Sequence, residues 1–186
     1  ADMAIIASAM QQKDFDKALE AIANLEKKQP NSPLIHNLRG QALVAKKDIP
    51  AAKKSFEKAI TEDPTYLSAV TNLVAIDLSE NKIDQARQRY EAVIAKDPKN
   101  VPAMLSLAQL KARTGASLDD VASLLKKAVA ADINNSTSRF ALISFYLNSK
   151  DKDKARAATE EALAVFPENP EILEVAGQVY QLSGDS

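Results

Sequence analysis

Apolar residues recur along this chain with the spacing of an amphipathic helix, in short runs separated by polar breaks. Leu34, Ile35, Leu38, Ala42, Leu43 and Ala45 make one run; after the break "KKDIP", Ala52, Phe56, Ala59 and Ile60 make the next. Two helices joined by so short a break form a hairpin, and the hairpin is written repeatedly. "FEKAITEDPTY" at residues 56–66 returns as "YEAVIAKDPKN" at 90–100. Pro30, Pro64 and Pro98 stand 34 residues apart, Ile133 follows after 35 and Pro167 after another 34. Ala18, Ala52, Ala86, Val121 and Ala155 keep the same steps, as do Leu25, Ala59, Val93, Ala128 and Ala162. Three columns sharing one period predict an array of stacked helical hairpins.

The register predicts first helices near 1–13, 33–46, 67–80, 101–114, 136–149 and 170–183, and second helices near 16–29, 49–62, 83–96, 118–131 and 152–165. Punctuation agrees with these bounds. Asp48 and Asp151 stand where an N-cap is wanted, Pro50 falls in a first turn where a missing N–H costs little, and Asn31-Ser32-Pro33 opens the following hairpin in the same manner. Pro30, Pro64, Pro98 and Pro167 end second helices, because the residue before proline is pushed out of the α region. Gly40, Ala108 and Gly177 share one column on the first helices, opposite the small-residue column that begins at Ala18. Close helix approach is expected there, with Ile22, Phe56, Tyr90 and Leu125 filling the space one turn on.

Composition narrows the partners. The chain has 186 residues, 46% hydrophobic but only 5% aromatic and without Trp, so its core must be aliphatic and small. Lys plus Arg number 24 against 25 Asp plus Glu, and the net charge of −1 disfavours a general nucleic-acid or anionic-membrane binder. The absence of Cys excludes disulfides, thiolate metal sites and thiol catalysis, while leaving both periplasm and cytoplasm open. The apolar opening "ADMAIIASAM" is too short to span a membrane and lacks a basic leader, so direct membrane insertion by this segment is not expected.

No active site assembles from these residues. His36 is the single histidine and reads as a packing residue, and the four glycines are scattered through columns and turns instead of forming a phosphate loop. Carboxylates lie mostly beside Lys or Arg on solvent faces, as in "KKSFEK" and "KARAATEE". No catalytic, cofactor-binding or metal-ligating residue is therefore assigned, and the chain does not read as an enzyme. Asp77 and Lys111 occupy equivalent columns of successive units, so their side chains are expected to meet, as a structural salt bridge before a functional pair.

A 34-residue helix-turn-helix with these columns resembles the tetratricopeptide repeat over essentially the whole chain. The fit is best in "HNLRGQALVAKKDIPAAKKSFEKAITEDP", with Gly40, Ala52, Phe56, Ala59 and Pro64 in the family's positions. His36 stands where the family often has Trp, Asp77 and Lys111 where Tyr or Leu is usual, and the fourth unit carries an extra residue around "TGASLDD" and no terminal Pro. The resemblance implies an all-α, right-handed superhelical solenoid of antiparallel helix pairs. It divides residues 1–186 into five repeats and a half: 1–32, 33–66, 67–100, 101–135, 136–169 and 170–186. Both ends read as cut from a longer array, with Ile172, Val175, Val179 and Tyr180 expected to leave apolar surface open to end-to-end self-association.

In this family the first helices line a concave groove that takes peptides or partner helices. Carried over by column, the groove includes Asn37, Gln41, Val44 and Ala45, then Thr71, Asn72, Ala75, Leu78 and Ser79. It continues through Leu105, Gln109, Ala112 and Arg113 to Phe140, Ser144, Leu147 and Asn148. Asn72 matches one amide of the family's carboxylate clamp, but Asn37, Thr71 and Leu105 replace the other groups such a clamp requires. The function implied is a protein-binding scaffold for a protein or peptide ligand, without a cofactor. The alternative is a structural segment of a larger bacterial secretion or exopolysaccharide-export assembly whose active part lies elsewhere. The stretches "SLAQLKARTGASLDDVASLLKKAVAAD" and "LISFYLNSKDKDKARAATEEALAVFPENPEIL" also resemble tetratricopeptide lipoproteins of bacterial PEP-CTERM and exopolysaccharide systems, which would imply the periplasm or outer-membrane periphery.

Overall fold

The computed structural model describes residues 2–184, which form eleven α-helices and no strand. First helices are α1 (Asp2–Gln11), α3 (Pro33–Ala45), α5 (Leu67–Ser79), α7 (Val101–Arg113), α9 (Ser136–Asn148) and α11 (Pro170–Ser183). Second helices are α2 (Phe15–Lys28), α4 (Ile49–Glu62), α6 (Ile83–Lys96), α8 (Leu118–Ala131) and α10 (Lys152–Val165). The bounds expected from the repeat agree with these to within two residues. The helices gather into two compact units, Ala1–Lys96 and Asp97–Ser186. Within each unit a first helix packs on the second helix that follows it, and that second helix packs on the next first helix.

Local chemistry explains why the chain turns where it does. Asp48 accepts a hydrogen bond from the Ala51 N–H at 3.1 Å and Asp151 one from Lys154 N–H at 3.1 Å, so each satisfies an orphan donor of its helix. Ser32 sits at the N-cap of α3 without a side-chain bond, and Pro33 alone sets that start. Each hairpin turn passes through one left-handed residue: Lys13, Lys47, Asn81, Gly115 and Lys150, with φ from 59° to 81°. In the second hairpin Asp48 N–H donates to Leu43 O and Lys47 N–H to Val44 O, each at 2.9 Å, which closes the helix end in a Schellman arrangement. The turn depends on these two bonds, so a lysine is tolerated where only the fourth hairpin supplies glycine.

Packing follows the columns. Ala18, Ala52, Ala86 and Ala155 are wholly buried, as are Ala59, Ala128 and Ala162. Gly40 is required by contact: a Cβ built there would fall 2.7 Å from Phe56 Cζ, well inside van der Waals distance. Phe56 itself is fully buried with Ala52, Leu73 and Ile76. Gly177 differs from this expectation, for no atom of another described helix lies within 4 Å of the place its Cβ would take. No described helix packs on that side of α11.

Two further expectations are corrected. Ile172, Val175 and Val179 do not leave apolar surface open; they are 2% exposed or less and join the core formed with α8, α9 and α10, while Tyr180 is half-buried. The large apolar side chains that α11 does expose are Leu173 and Leu182, and on α1 they are Met3 and Ile5. Asp77 does not take Lys111 as its partner. Its Oδ2 accepts from Arg89 Nε–H and its Oδ1 lies 3.7 Å from Lys53 Nζ, all within the first unit. The column argument compared like positions on successive first helices, whereas the second helices on either side of α5 supply the charges that reach Asp77.

Candidate functional site

The first helices present the candidate binding face, and each unit builds its own. In the first unit α3 touches α5, so their outward side chains form one surface. Gln41 and Thr71 are exposed on it, with Val44, Ala45, Ala75 and Ser79 around them. Asn37 is only 4% exposed, and its Oδ1 accepts a 2.9 Å hydrogen bond from Asn72 Nδ2 across the two helices. This pair ties α3 to α5, and Asn37 is a strut of the surface instead of a free donor. Thr71 is fixed from behind, where the buried Tyr90 donates its hydroxyl to Thr71 Oγ1 at 3.4 Å.

The second unit is more apolar on the corresponding face. Helices α7 and α9 touch, and Leu105, Phe140 and Leu147 lie half-buried against the core below them. Gln109, Arg113 and Asn148 are exposed beside these residues, and Ser144 is half-buried. Amides supply both donors and acceptors for a peptide backbone, while half-buried Leu and Phe offer contact area whose ordering cost is already met by packing.

Behind the first unit's face, one charge cluster surrounds Glu26. Burial alone would raise its carboxyl, but the 3.2 Å hydrogen bond from Lys58 and the nearby Arg39 guanidinium outweigh burial and hold it below the usual carboxylate range. His36 is fully buried, and its Nε2–H donates to the Pro30 carbonyl at 2.9 Å while Nδ1 stands 3.3 Å from Glu26 Oε1. It takes the Trp position as a packing residue that also fastens the turn between α2 and α3. Sequence reasoning placed His36 correctly but did not anticipate the Glu26 cluster, because that ring joins α2, α3 and α4 through side chains far apart in the chain.

No helix among the described residues is long and apolar enough to cross a membrane. A curated relative is the cellulose synthase operon protein C of Pseudomonas fluorescens (strain SBW25), 28% identical over 120 residues that make up 64% of this chain and 9% of that protein. The chain thus aligns with less than a tenth of the relative's length. Among solved structures, PilW, described as a widely conserved type IV pilus biogenesis factor, superposes with a TM-score of 0.64 at 16% identity, covering 100% of this chain and 86% of PilW. YrrB, described as a tetratricopeptide-repeat protein with an unusual peptide-binding site, superposes with a TM-score of 0.57 at 15% identity, covering 92% of this chain and 88% of YrrB. Two family models described as tetratricopeptide repeat match residues 4–66 and 43–110. Together they span more than half of the sequence, and the chain belongs to the tetratricopeptide repeat family.

Proposed function

We propose that this chain is an adaptor that holds a peptide or an extended segment of a partner protein against its first-helix faces. The observation that carries the reading is in the second unit, where half-buried Leu105 and Phe140 lie on adjoining helices beside the exposed Gln109, Arg113 and Asn148. Apolar anchors flanked by amides are what an extended segment needs to bury a side chain while its backbone stays hydrogen-bonded. Gln41, Thr71 and Asn72 extend the reading to the first unit, with Asn37 as the residue that holds Asn72 in place. The family and the peptide-binding description of YrrB support the same class of partner.

A photo-reactive amino acid placed in turn at Gln41, Gln109 and Asn148, and for comparison at Lys54 and Lys152 on second helices, tests the assignment in cells of the source organism. Cross-links to one partner from the first-helix positions alone are the expected result. The same partner captured only from Lys54 or Lys152 would overturn it.

One observation favours a second reading, a segment of a bacterial export assembly: the relative at 28% identity carries the name of a cellulose synthase operon protein. On that reading the chain would be part of a longer, envelope-associated protein, in line with the resemblance to PEP-CTERM lipoproteins, and its contacts would run through exposed Met3, Ile5, Leu173 and Leu182. Assembly lost on changing these four to Ser, and unaffected by Gln109→Ala, would select the second reading over the first.

A further inference from the structure

Helices α4, α5 and α6 recur 69 residues later as α8, α9 and α10, with identical offsets at every helix start. In that register Lys53, Asp77 and Arg89 of the first unit correspond to Ala122, Tyr146 and Ala158 of the second. The first unit fills the space between α4 and α6 with charge: Arg89 donates to the buried Asp77, and Lys53 lies 3.7 Å from Asp77 and 2.8 Å from Glu80. The second unit has cut both long side chains back to methyl groups and put a phenol ring where the carboxylate stood. Tyr146 and Lys154 line three adjoining cavities of about 360, 420 and 390 Å³; Ala158 lines the first of them and Ala122 the other two. The first has a counterpart of about 340 Å³ in the first unit, with Arg89 in its wall.

The groove's chemistry is selective. Its open walls are Val129, Ile133, Ala157 and Ala158 above the buried Leu142 and Tyr146, a lining that favours an apolar guest. The Tyr146 hydroxyl has no protein hydrogen-bond partner, and Lys126 and Lys127 have no ion pair among the described residues. Lys154 sits 5.8 Å above the Tyr146 ring and is tied to Asp151 at 2.8 Å. Asp119, the other acid at that end, also acts on Lys154, and Glu161 lines only the opposite end. The donors left free in the middle of the groove are therefore Lys126, Lys127 and the phenol.

We propose that the α8–α10 groove is a second docking slot, independent of the first-helix faces, for a short peptide segment of another protein that lays an apolar side chain against Ile133 and Ala157 and an adjacent carboxylate on Lys126. The volume suits one or two side chains and is too small for a whole helix. The free ammonium of Lys126 selects a flanking Asp or Glu over a neutral residue.

The ¹⁵N-labelled chain titrated with acetyl-Phe-Glu-amide, and separately with acetyl-Phe-Gln-amide, tests the slot. Saturable shifts are expected at the amides of Ala122, Tyr146 and Ala158, with the Gln peptide about fivefold weaker, the scale of one exposed ion pair. Ala158→Trp, whose ring takes up the volume the guest needs, should abolish those shifts, and Lys126→Gln should bring the Glu peptide to the affinity of the Gln peptide. Equal affinities for the two peptides, shifts confined to α7 and the exposed side of α9, or undiminished binding by Ala158→Trp would each overturn the proposal. Should Ala158→Trp lose its folded spectrum, Lys126→Gln decides alone: an unchanged preference for Glu refutes the slot and a lost preference supports it.

Discussion

Arg89 donates its Nε–H to Asp77 Oδ2, and the carboxylate it reaches has no exposed surface. An ionised group so placed is tolerable only because Arg89, with Lys53 behind it, compensates the lost hydration. Cutting Arg89 to Ala leaves Asp77 facing Lys53 alone at 3.7 Å, with one oxygen already lacking a hydrogen bond. Arg89→Ala should cost about 3 kcal/mol, the ordinary penalty for stranding a buried charge. The double change Asp77→Leu with Arg89→Leu should recover most of the loss. Amide hydrogen exchange in α5 and α6 reads the effect where it arises; equal protection in the single and double variants would contradict it.

The Gly40 contact gives a sharper steric test. The ring of Phe56 occupies the space of the missing side chain and is itself boxed in by Ala52 and Leu73, so it has nowhere to retreat. Gly40→Ala should destabilise by about 2 kcal/mol through overpacking, despite alanine's better helix propensity. Phe56→Leu in the Gly40→Ala background should restore part of the stability, which a thermal melt of the four-member cycle would reveal. The same Gly→Ala change at Gly177, where nothing lies nearby, should stabilise α11 by about 0.5–1 kcal/mol through propensity alone.

These two glycines show what the sequence made legible and what it did not. Period, helix bounds and the small-residue column were readable because each hairpin solves the same packing problem with the same residue types. The columns therefore located Gly40 against Phe56 correctly. They misjudged Gly177, since a column cannot report whether its opposing helix is present. They also linked Asp77 to Lys111, because periodicity compares like positions, while a buried carboxylate draws its counter-charge from whichever long side chain reaches it. The candidate face was legible in the same limited sense: Gln41, Gln109 and Asn148 are exposed as the pattern implies, but the commitment of Asn37 to Asn72 depends on a distance between helices that no periodicity encodes. The α8–α10 groove was hidden for a related reason. Ala122 and Ala158 look unremarkable until Lys53 and Arg89 are seen filling the equivalent space.

Glu80 provides a test by titration. Hydrogen bonds from Lys53 at 2.8 Å and Lys82 at 2.7 Å hold its carboxyl down to about 2, below its ordinary value of 4.5. A depressed carboxylate stabilises the fold fully above the unfolded value and loses that contribution as pH falls through the folded one. The contribution of Glu80 should thus be complete above pH 4.5 and fade towards pH 2. Carboxyl ¹³C shifts followed through acid should place its midpoint near the lower value, and Lys82→Ala should move that midpoint upward. A midpoint in the ordinary range for both proteins would show that the two lysines do not hold it, and added salt should raise the midpoint because the cluster is open to solvent.

The Asn37 and Asn72 pair separates structure from recognition on the candidate face. Asn37→Ala removes the acceptor of the 2.9 Å bond between α3 and α5 and leaves the Asn72 amide without it, so stability should fall by about 1 kcal/mol. Gln41→Ala, on an exposed neighbouring position, should change stability by less than about 0.5 kcal/mol. Partner binding should respond in the opposite order. Gln41→Ala should weaken it directly, with protection of α3 and α5 amides unchanged, whereas Asn37→Ala should weaken it only in proportion to the loosening that exchange detects. A Gln41→Ala protein that binds its cross-linked partner as well as the parent would remove this part of the first unit from the binding surface and leave recognition to α7 and α9. Loss of binding by Asn37→Ala without any change in exchange would instead place Asn37 in direct contact with the partner, against the hydrogen bond that now occupies it.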